Sequence, residues 1–267
     1  MVQWSMITVT YNSAKDLRHF WTGARPAGIE WIVVDNASDD GSSSVAEELG
    51  AKVIRLDTNQ GFGVANNAGF RASTGSYVGF VNPDVTVNFA TVGLLEEAID
   101  RHGSIVAPQL LNQDKTFQSN GRGFPTLRNK IRNRLGADSH QYLLVPQNMG
   151  SKYVCWIMGA AVTGTRSAFE NLGCWDERFF IYYEDSDICL RAWESGISVE
   201  LEGSVQWTHG WARETSKFRV KPWLREFGSM RKFYTRYPSL IWSERVAGHS
   251  YPVIKRAMGA ESSEYAP

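Results

Sequence analysis

The stretch Tyr77-Val78-Gly79-Phe80-Val81-Asn82-Pro83-Asp84-Val85 passes from an apolar run to an amide, a proline and a carboxylate. Because proline cannot donate to a sheet ladder, a strand is predicted to stop at Pro83. Ligands of open parallel sheets gather at the carboxyl ends of strands, which places Asn82 and Asp84 at a crevice. Hard oxygen ligands suit Mg²⁺ or Mn²⁺ beside a diphosphate. The alternative is a strand end followed by an Asx turn.

Strands of similar type precede this stretch. Met6–Thr10 alternates and is followed by Tyr11-Asn12, and the apolar run Trp31–Val34 is followed by Asp35-Asn36. A further strand is predicted over residues 52–56, with helices over 15–21, 44–49 and 64–72. This strand–helix repeat predicts a mainly parallel α/β sheet flanked by helices. The three polar clusters would then share one edge of the sheet, which favours a nucleotide site.

Composition limits the class of protein. With 267 residues, the chain is one large domain or one domain with an appendage. Its formal net charge of +0 predicts no nucleic-acid partner, so only local patches could attract one. Three cysteines without zinc spacing indicate reduced thiols in the cytoplasm. The sequence shows neither a signal peptide nor an apolar stretch long enough to span a bilayer, so membrane contact would be peripheral.

The middle of the chain is less periodic. A helix is predicted over residues 89–101 and a strand over 104–107, and residues 109–150 are predicted to be a long mobile loop over the site, ordered by ligand. The alternative for this loop is a solvated excursion with no role. Its basic segment consists of Arg122, Arg128, Lys130, Arg132 and Arg134.

Carboxylates stand at the start of a helix in the next part. Residues 153–164 fit a strand or a buried turn, and 166–172 a short helix. Glu184, Asp185 and Asp187 then begin a helix that stops at Gly196. The helix dipole alone explains carboxylates there. The functional interpretation is that Asp185 points into the cleft as a base. Strands over 197–201 and 204–207 lead to His209.

The C-terminal part is basic and aromatic. Pro222 is predicted to open a helix with one face formed by Trp223, Phe227, Met230 and Tyr234. Eight basic residues stand against Glu214 and Glu226 alone; they are Arg213, Lys217, Arg219, Lys221, Arg225, Arg231, Lys232 and Arg236. Such a helix either lies on an anionic membrane surface or packs on its own domain with its charges in water.

In this order, the motifs resemble the inverting family 2 glycosyltransferases, which have the nucleotide-sugar-binding GT-A fold. They cover roughly residues 4–210. The Asn-Pro-Asp version and the Asn-Gln-Gly-Phe-Gly turn look most like bacterial rhamnosyltransferases of cell-wall or polysaccharide synthesis. The motifs are Thr8–Asn12, Val33–Ser42, Asn59–Gly69, Asn82-Pro83-Asp84, Gly159-Ala160, Tyr183–Arg191 and Thr208-His209.

The resemblance implies a role for each matching residue. Thr10, Tyr11 and Asn12 would line the nucleotide pocket, and Asp35 would accept from the base. The further donor-binding residues would be Asn36, Asn67, Asn82 and Asp84. Asp84 matches the last carboxylate of the Asp-X-Asp metal motif, whose first carboxylate is replaced here by Asn82. His209 matches a metal ligand of some members, or it has a structural role. Asp185 matches the catalytic base with Glu184 beside it, and the acceptor side would include Trp156, Gly159 and Ala160.

The implied activity is transfer of a sugar, rhamnose from dTDP-rhamnose as the leading expectation, to a hydroxyl of a glycan or lipid-linked acceptor with Mg²⁺ or Mn²⁺. The alternatives are UDP-galactofuranose or a UDP-hexose as donor, a sugar-phosphate nucleotidyltransferase, and an inactive nucleotide-sugar-binding module. The predicted domains are a GT-A domain over 1–212 and a C-terminal helical extension over 213–267. The GT-A domain divides into a nucleotide-binding half (1–107) and an acceptor half (108–212).

Overall fold

A central sheet flanked by helices organises the computed structural model, which describes residues 2–137, 142–146, 149–210 and 220–259. Its first strands are close to the predicted ones. The strands in this part of the chain are β1 (Trp4–Thr10), β2 (Ile29–Asp35), β3 (Lys52–Arg55), β4 (Tyr77–Val81), β5 (Val85–Thr86), β6 (Ile105–Leu111), β7 (Gly121–Arg122), β8 (Leu143–Leu144), β9 (Ser151–Tyr153), β10 (Trp156–Ile157), β11 (Ala161–Thr165) and β12 (Val199–His209).

The helices lie between and after these strands. Short 3₁₀ turns cover Phe89–Thr91 and Pro238–Leu240. The α-helices of the described residues are α1 (Ala14–Phe20), α2 (Ser42–Glu48), α3 (Phe62–Ala72), α4 (Val92–His102), α5 (Leu127–Arg134), α6 (Arg166–Leu172), α7 (Glu184–Glu194), α8 (Val220–Arg236), α9 (Glu244–Ser250) and α10 (Pro252–Gly259).

The large sheet has the order β3-β2-β1-β4-β11-β6-β12-β5, with β9 added beside β12. Strands β3, β2, β1 and β4 are parallel, so their carboxyl ends share one edge, as predicted. Apolar residues on both faces of β4 explain its burial: Val78 and Phe80 pack in one layer and Val81 in the other. The strand ends where Pro83 follows.

One strand runs against the others in the middle of the sheet. β11 is antiparallel to β4, and Ala161 pairs with Val81. The amino end of β11 therefore lies beside the carboxyl end of β4, which brings the chain just before Ala161 to the polar edge. The two strands predicted over 197–201 and 204–207 are one strand, β12, with an irregularity between Glu202 and Gln206.

The prediction of a long structureless loop over residues 109–150 is wrong for the part that the structure describes. β6 extends to Leu111, β7 pairs with both β10 and β8 in a small sheet, and α5 follows a Thr126 cap. Short elements of two to eight residues give weak periodicity, and for this reason the sequence pattern missed them.

The C-terminal helices pack onto the same core as the acceptor half. Phe233 and Tyr234 of α8 and the following Tyr237 are buried with Ile254 of α10 in the cluster that contains Tyr183. Two residues predicted on one apolar face therefore differ in burial: Tyr234 is in the core, whereas Phe227 is 63% exposed. The helix begins at Val220 and not at Pro222. Of the predicted basic set, Arg213, Lys217 and Arg219 lie outside the described residues.

Candidate active site

The carboxyl ends of β1 and β2 form one side of the candidate site. Thr10 pairs with Asp35 in the parallel register, and the Asn36 N–H donates to the Thr10 carbonyl at 2.9 Å. Thr10 and Asp35 are buried, and Tyr11 stands half exposed at the rim. Asp35 Oδ1 accepts from the Ser38 N–H at 3.1 Å, which fixes the carboxylate. The predicted nucleotide residues of these two strands therefore lie together.

The loops after these strands are tied to each other through Asn12. Its N–H donates to Ser38 Oγ at 2.9 Å, and its Oδ1 accepts from the Asp39 N–H at 2.8 Å. Asn12 has a left-handed backbone with φ of 55°, which asparagine tolerates better than most residues. The rim beside Tyr11 is rigid for this reason.

The glycine turn is held by Asn36 on one side and by Phe180 on the other. The Asn36 amide donates to Asn59 Oδ1 at 3.1 Å and accepts from the Gln60 N–H at 2.8 Å. Gly61 has a φ of 92°, and a Cβ there would lie 2.5 Å from the Phe180 carbonyl oxygen. The next N–H, that of Phe62, donates to this same carbonyl at 2.8 Å. Only glycine fits this approach.

Asp84 and His209 meet where the end of β12 lies beside the start of β5. His209 ends β12 and pairs with Val85, and the Gly210 N–H donates to the Asp84 carbonyl at 2.7 Å. Asp84 Oδ2 lies 3.3 Å from His209 Nε2. The carboxylate remains partly open to solvent, whereas the imidazole is buried. The structure therefore brings together the two predicted metal ligands, which are far apart in sequence.

Gln118 decides which nitrogen of His209 faces the carboxylate. The Gln118 amide nitrogen donates to Asn112 Oδ1 and to the His209 carbonyl, so its oxygen is turned toward His209 Nδ1 at 2.8 Å. Since that oxygen only accepts, Nδ1 carries a proton, so a cation placed between His209 and Asp84 would be offered the Nε2 lone pair. A nitrogen and an oxygen acceptor facing each other suit a divalent cation. No cluster of three or more His, Cys, Asp or Glu side chains is found in the described part of the chain.

The peptide of Gly159 and Ala160 connects this pair to the predicted base. Ala160 contributes its carbonyl to the Asn82 N–H at 2.9 Å, and the Gly159 N–H faces Asp185 Oδ2 at 3.4 Å. A Cβ on Gly159 would lie 3.6 Å from Asp185 Cβ, so the backbone and the acid are in close contact. Residues 82–84 and Asp185 therefore contact the same Gly159-Ala160 peptide from two sides.

The start of α7 aims Asp185. Tyr182 and Tyr183 both have left-handed backbones, with φ of 70° and 72°. Such conformations cost about 1–3 kcal/mol each for residues other than glycine and persist only where packing enforces them. Here the Tyr183 ring packs against Phe233 and Tyr234. Asp185 Oδ1 accepts from the Ser186 N–H at 2.6 Å, which leaves Oδ2 on the side of Gly159.

Glu184 differs from its neighbour. It is buried, and its Oε2 has no hydrogen-bond partner in the structure. Burial, and next the charge of Asp185, raise the pKa of Glu184 to about 8. Glu184 therefore holds its proton near neutral pH, which makes it a poor proton acceptor at this site.

A lysine that the sequence pattern placed in a mobile loop faces these acids. Lys130 lies on α5, its ammonium 3.1 Å from Ser186 Oγ and 3.7 Å from the centre of the Trp156 ring. The Tyr183 ring is 4.7 Å away on another side. Burial lowers the pKa of Lys130 to about 8, and the charge of Asp185 opposes this shift. The signal that could have revealed Lys130 is the Thr126 cap, which accepts from the Asn129 N–H and starts the helix.

Trp156, predicted to contact the acceptor, is almost entirely buried. One side of its ring is covered by the Lys130 ammonium, and the Arg122 guanidinium lies 6.0 Å from the ring centre. Cations over an indole face are attracted by its quadrupole. In this structure Trp156 is therefore a support for the cations next to Asp185.

Asn67 is hydrogen-bonded to the chain around Trp175. Its amide nitrogen donates to the Trp175 carbonyl at 2.9 Å and to Glu177 Oε1 at 3.0 Å, and its oxygen accepts from the Trp175 N–H at 3.0 Å. Both ends of the amide are thus used inside the protein. In this structure Asn67 anchors the segment that leads to Tyr182 and Tyr183, and its contact with nucleotide or donor sugar stays a prediction.

Asp187 fixes the C-terminal helix to the same region. Its carboxylate is fully buried, lies 2.8 Å from Arg191 Nε and accepts from the Tyr237 hydroxyl at 3.0 Å. Arg236 approaches it to 3.4 Å. The third acid of the motif is therefore structural and connects α7 with α8.

Comparison with known proteins identifies the family. The profile of the family described as glycosyl transferase family 2 matches residues 5–156, more than half of the chain. The chain belongs to glycosyl transferase family 2. It is a glycosyltransferase that uses a nucleotide-sugar donor, and its mainly parallel sheet with flanking helices is the GT-A fold.

Relatives within family 2 carry several named specificities. The chain is 27% identical over 205 residues to the low-salt glycan biosynthesis hexosyltransferase Agl10 of Haloferax volcanii, covering 73% of this chain and 63% of the relative. It is 26% identical over 243 residues to the N-acetylglucosaminyl-diphospho-decaprenol L-rhamnosyltransferase of Mycobacterium tuberculosis, covering 79% and 77%. It is also 26% identical to the dTDP-rhamnosyl transferase RfbF of Shigella flexneri, covering 76% and 67%.

Solved structures share the fold of this family 2 member. TarS 1–349 of S. aureus in complex with UDP-GlcNAc aligns with a TM-score of 0.61 at 20% identity, over 91% of this chain and 68% of that one. GalNAc-T7 with UDP, GalNAc and Mn²⁺ aligns with a TM-score of 0.68 at 14% identity, over 99% and 56%. Among the described residues, no helix combines the length and the apolar character needed to cross a bilayer.

Proposed function

We propose that this chain is an inverting, metal-dependent glycosyltransferase that moves rhamnose from dTDP-rhamnose to a hydroxyl of a glycan or lipid-linked acceptor. The observation that carries the proposal is the convergence of Asp84, His209 and Asp185 around the Gly159-Ala160 peptide. The names of the Mycobacterium and Shigella relatives support rhamnose as the sugar. The Haloferax relative, named as a hexosyltransferase, supports the alternative of another donor, a UDP-hexose or UDP-galactofuranose.

Asp185 is proposed as the general base. Its Oδ1 is held by the Ser186 N–H, which leaves Oδ2 to take the proton of the acceptor hydroxyl as that oxygen attacks the anomeric carbon. Glu184, which keeps its own proton, cannot compete for this role near neutral pH. One base on one face of the sugar fits a single displacement with inversion, whereas a glycosidase needs two carboxyl groups that flank the bond.

Asp84 Oδ2 and His209 Nε2 are the atoms that would hold Mg²⁺ or Mn²⁺. When bound, the ion neutralises charge on the leaving diphosphate. Gln118 keeps the imidazole in the tautomer that offers Nε2. Asn82 lies at the same edge with an amide in place of a carboxylate. Asp84 would therefore be the one anionic ligand from the proposed pair, and the remaining negative charge at the ion would come from the diphosphate.

The two sides of the cleft have separate proposed tasks. Thr10, Tyr11, Asn12, Asp35 and Asn36 bind the nucleotide in the half formed by residues 1–107. Gly159 and Ala160 form the acceptor side in residues 108–212, where the buried Trp156 ring acts from behind through Lys130, and residues 213–267 are the helical extension. The proposed location is the cytoplasm, with peripheral contact to the inner face of the membrane.

The test is incubation of the purified protein with labelled dTDP-rhamnose, UDP-galactofuranose and UDP-hexoses, each with Mg²⁺, Mn²⁺ or EDTA and a lipid-linked acceptor extract. We expect metal-dependent transfer from dTDP-rhamnose, and a loss of at least about 100-fold in Asp185→Asn with donor binding retained. Full turnover by Asp185→Asn would remove its assignment as base. Pyrophosphate release from a nucleoside triphosphate and a sugar phosphate would instead indicate a nucleotidyltransferase.

A further inference from the structure

A basic cavity lies on the side of α5 that faces away from Lys130. It has a volume of about 290 Å³ and is lined by Thr126, Arg128, Asn129, Arg132, Ser243, Glu244 and Arg245. Three of these residues are arginines, and the only carboxylate among them, Glu244, accepts from the Asn129 amide at 2.7 Å. The walls of the cavity therefore carry a net positive charge in a chain whose formal net charge is +0.

Large apolar side chains stand exposed around this cavity. On α5 and its end, Ile131 is 50% and Leu135 is 76% exposed. At a helical spacing of 100° per residue, these two share one 100° stripe with Arg128 and Arg132, whereas Lys130 lies on the opposite side. Trp242, immediately before the cavity residue Ser243, is 71% exposed. Exposed apolar patches of this kind mark interaction surfaces.

We propose that this surface, formed by Arg128, Ile131, Arg132, Leu135, Trp242 and Arg245, docks the protein on an anionic phospholipid membrane. A lipid phosphate would enter the cavity among the arginines. The leucine, the isoleucine and the tryptophan would enter the boundary between headgroups and acyl chains, where tryptophan is enriched. This surface is where the peripheral membrane contact of the proposed function would take place, and the inference rests on that proposed function.

The combination of charge and apolar area distinguishes this partner from others. A free phosphate would use the cavity and leave the apolar rim in water. A symmetric dimer through this surface would bring two copies of the three arginines face to face, and like-charge contacts disfavour association. An anionic bilayer satisfies both parts of the surface at once. Of the α8 face predicted as a possible membrane contact, Tyr234 is buried.

The experiment is sedimentation of the full chain with vesicles of phosphatidylcholine alone or mixed with phosphatidylglycerol, at low and high salt. We expect binding to the anionic vesicles only, weakened by salt. Arg128→Gln with Arg132→Gln should lower the partition coefficient by about 25-fold, at roughly fivefold per arginine. Leu135→Ser with Trp242→Ser should lower it by at least about tenfold.

Matched controls are Arg18→Gln with Arg55→Gln for charge and Leu94→Ser with Phe117→Ser for exposed apolar area, all outside this surface. Control variants that lose binding as strongly, or surface variants that keep it, would overturn the proposal. Two other results would also overturn it. One is loss of vesicle binding in millimolar inorganic phosphate together with unchanged binding of the Leu135→Ser and Trp242→Ser variant. The other is a dimer of the parent protein that dissociates in that same variant. Release of nucleoside diphosphate from the donor, measured without vesicles, should be unchanged in the surface variants, which separates failure of docking from failure of the proposed transfer.

Discussion

Lys130 shows at the scale of one residue how charge is arranged around the proposed base. An ammonium enclosed by the Trp156 and Tyr183 rings is costly to bury, and the nearby carboxyl groups compensate for that cost. The first of these compensating charges is that of Asp185. Lys130 is thus a positioning residue that acts through Asp185.

Lys130→Met should reduce kcat by about tenfold to 100-fold, because the developing negative charge of the base loses its neighbouring cation. The acid limb of the kcat–pH profile should also move to higher pH, an effect that a purely structural role would not give. Lys130→Arg keeps the charge and should keep the position of that limb at a reduced rate. The exposed Lys52→Met serves as control, and a profile of Lys130→Met identical to that of the parent would contradict the assignment.

Gln118 acts on the metal pair through His209. Gln118→Leu removes the acceptor that holds the proton on Nδ1, so the ring is free to turn or to change tautomer. We expect the Mn²⁺ concentration for half-maximal transfer to rise by about tenfold to 100-fold. Binding of Mn²⁺ in the presence of nucleoside diphosphate, followed by electron paramagnetic resonance, should show the same loss. Lys115→Met, which removes a contact to the neighbouring Thr208, is the matched control and should leave the Mn²⁺ requirement unchanged.

At the scale of elements, the glycine turn and the segment before α7 depend on each other. Gly61→Ala places a Cβ against the Phe180 carbonyl at a backbone conformation that alanine avoids, so we expect a loss of about 2 kcal/mol in the free energy of unfolding. Gly93→Ala on α4 meets no atom within 4 Å and should gain about 0.5–1 kcal/mol. Urea unfolding of both variants tests the difference, and equal stabilities would refute the proposed contact.

The elements differ in how well the sequence predicts them. β4 and α6 have the predicted bounds because each has a clear signal at both ends: β4 is a β-branched and aromatic run stopped by Pro83, and α6 follows the Thr165 cap. Residues 109–150 lack such signals. Gln118 and Lys130 lie there, and their roles come from contacts with His209 and Ser186, each more than 50 residues away. The spacing of residues along the sequence does not predict contacts between side chains so far apart in the chain.

At the scale of the whole molecule, Glu184 links stability to pH. Its pKa is raised from 4.5 to about 8 in the folded protein, mainly by burial, so the folded state binds this proton more tightly than the unfolded state. The contribution is fully present below pH 4.5 and is lost as the pH rises toward 8. The pKa of Lys130 is lowered from 10.5 to about 8, so this residue changes the dependence of stability on pH only above pH 8.

We therefore expect the free energy of unfolding of the parent protein to fall between pH 5 and pH 8, and Glu184→Gln to reduce this slope. Chemical denaturation at a series of pH values measures it. The exposed Glu97→Gln should keep the slope of the parent. A slope that is the same in Glu184→Gln would show that another group controls the pH dependence.

The parallel half of the sheet and part of the candidate site follow from the order of strand ends, since parallel strands bring their polar ends to one edge. Asp35, Asp84 and His209 are accounted for in this way. The positions of Asn67 and Trp156 are not accounted for by strand order, because their surroundings are set by the packing of Trp175 and Lys130. Backbone topology is readable from the sequence, whereas the partners of individual side chains are not.

The reversed strand β11 also has a consequence for biosynthesis. Strands β1 to β4 can assemble as soon as residue 81 has left the ribosome. The free edge of β4 can pair only later, when residues 161–165 have been synthesised and form β11. For about 80 further codons the nascent sheet therefore has an unpaired edge, the feature that invites association with other chains. Translation that pauses within this interval should increase the requirement for chaperones. An mRNA without pause sites between codons 82 and 161 should therefore yield more native enzyme than one that contains them.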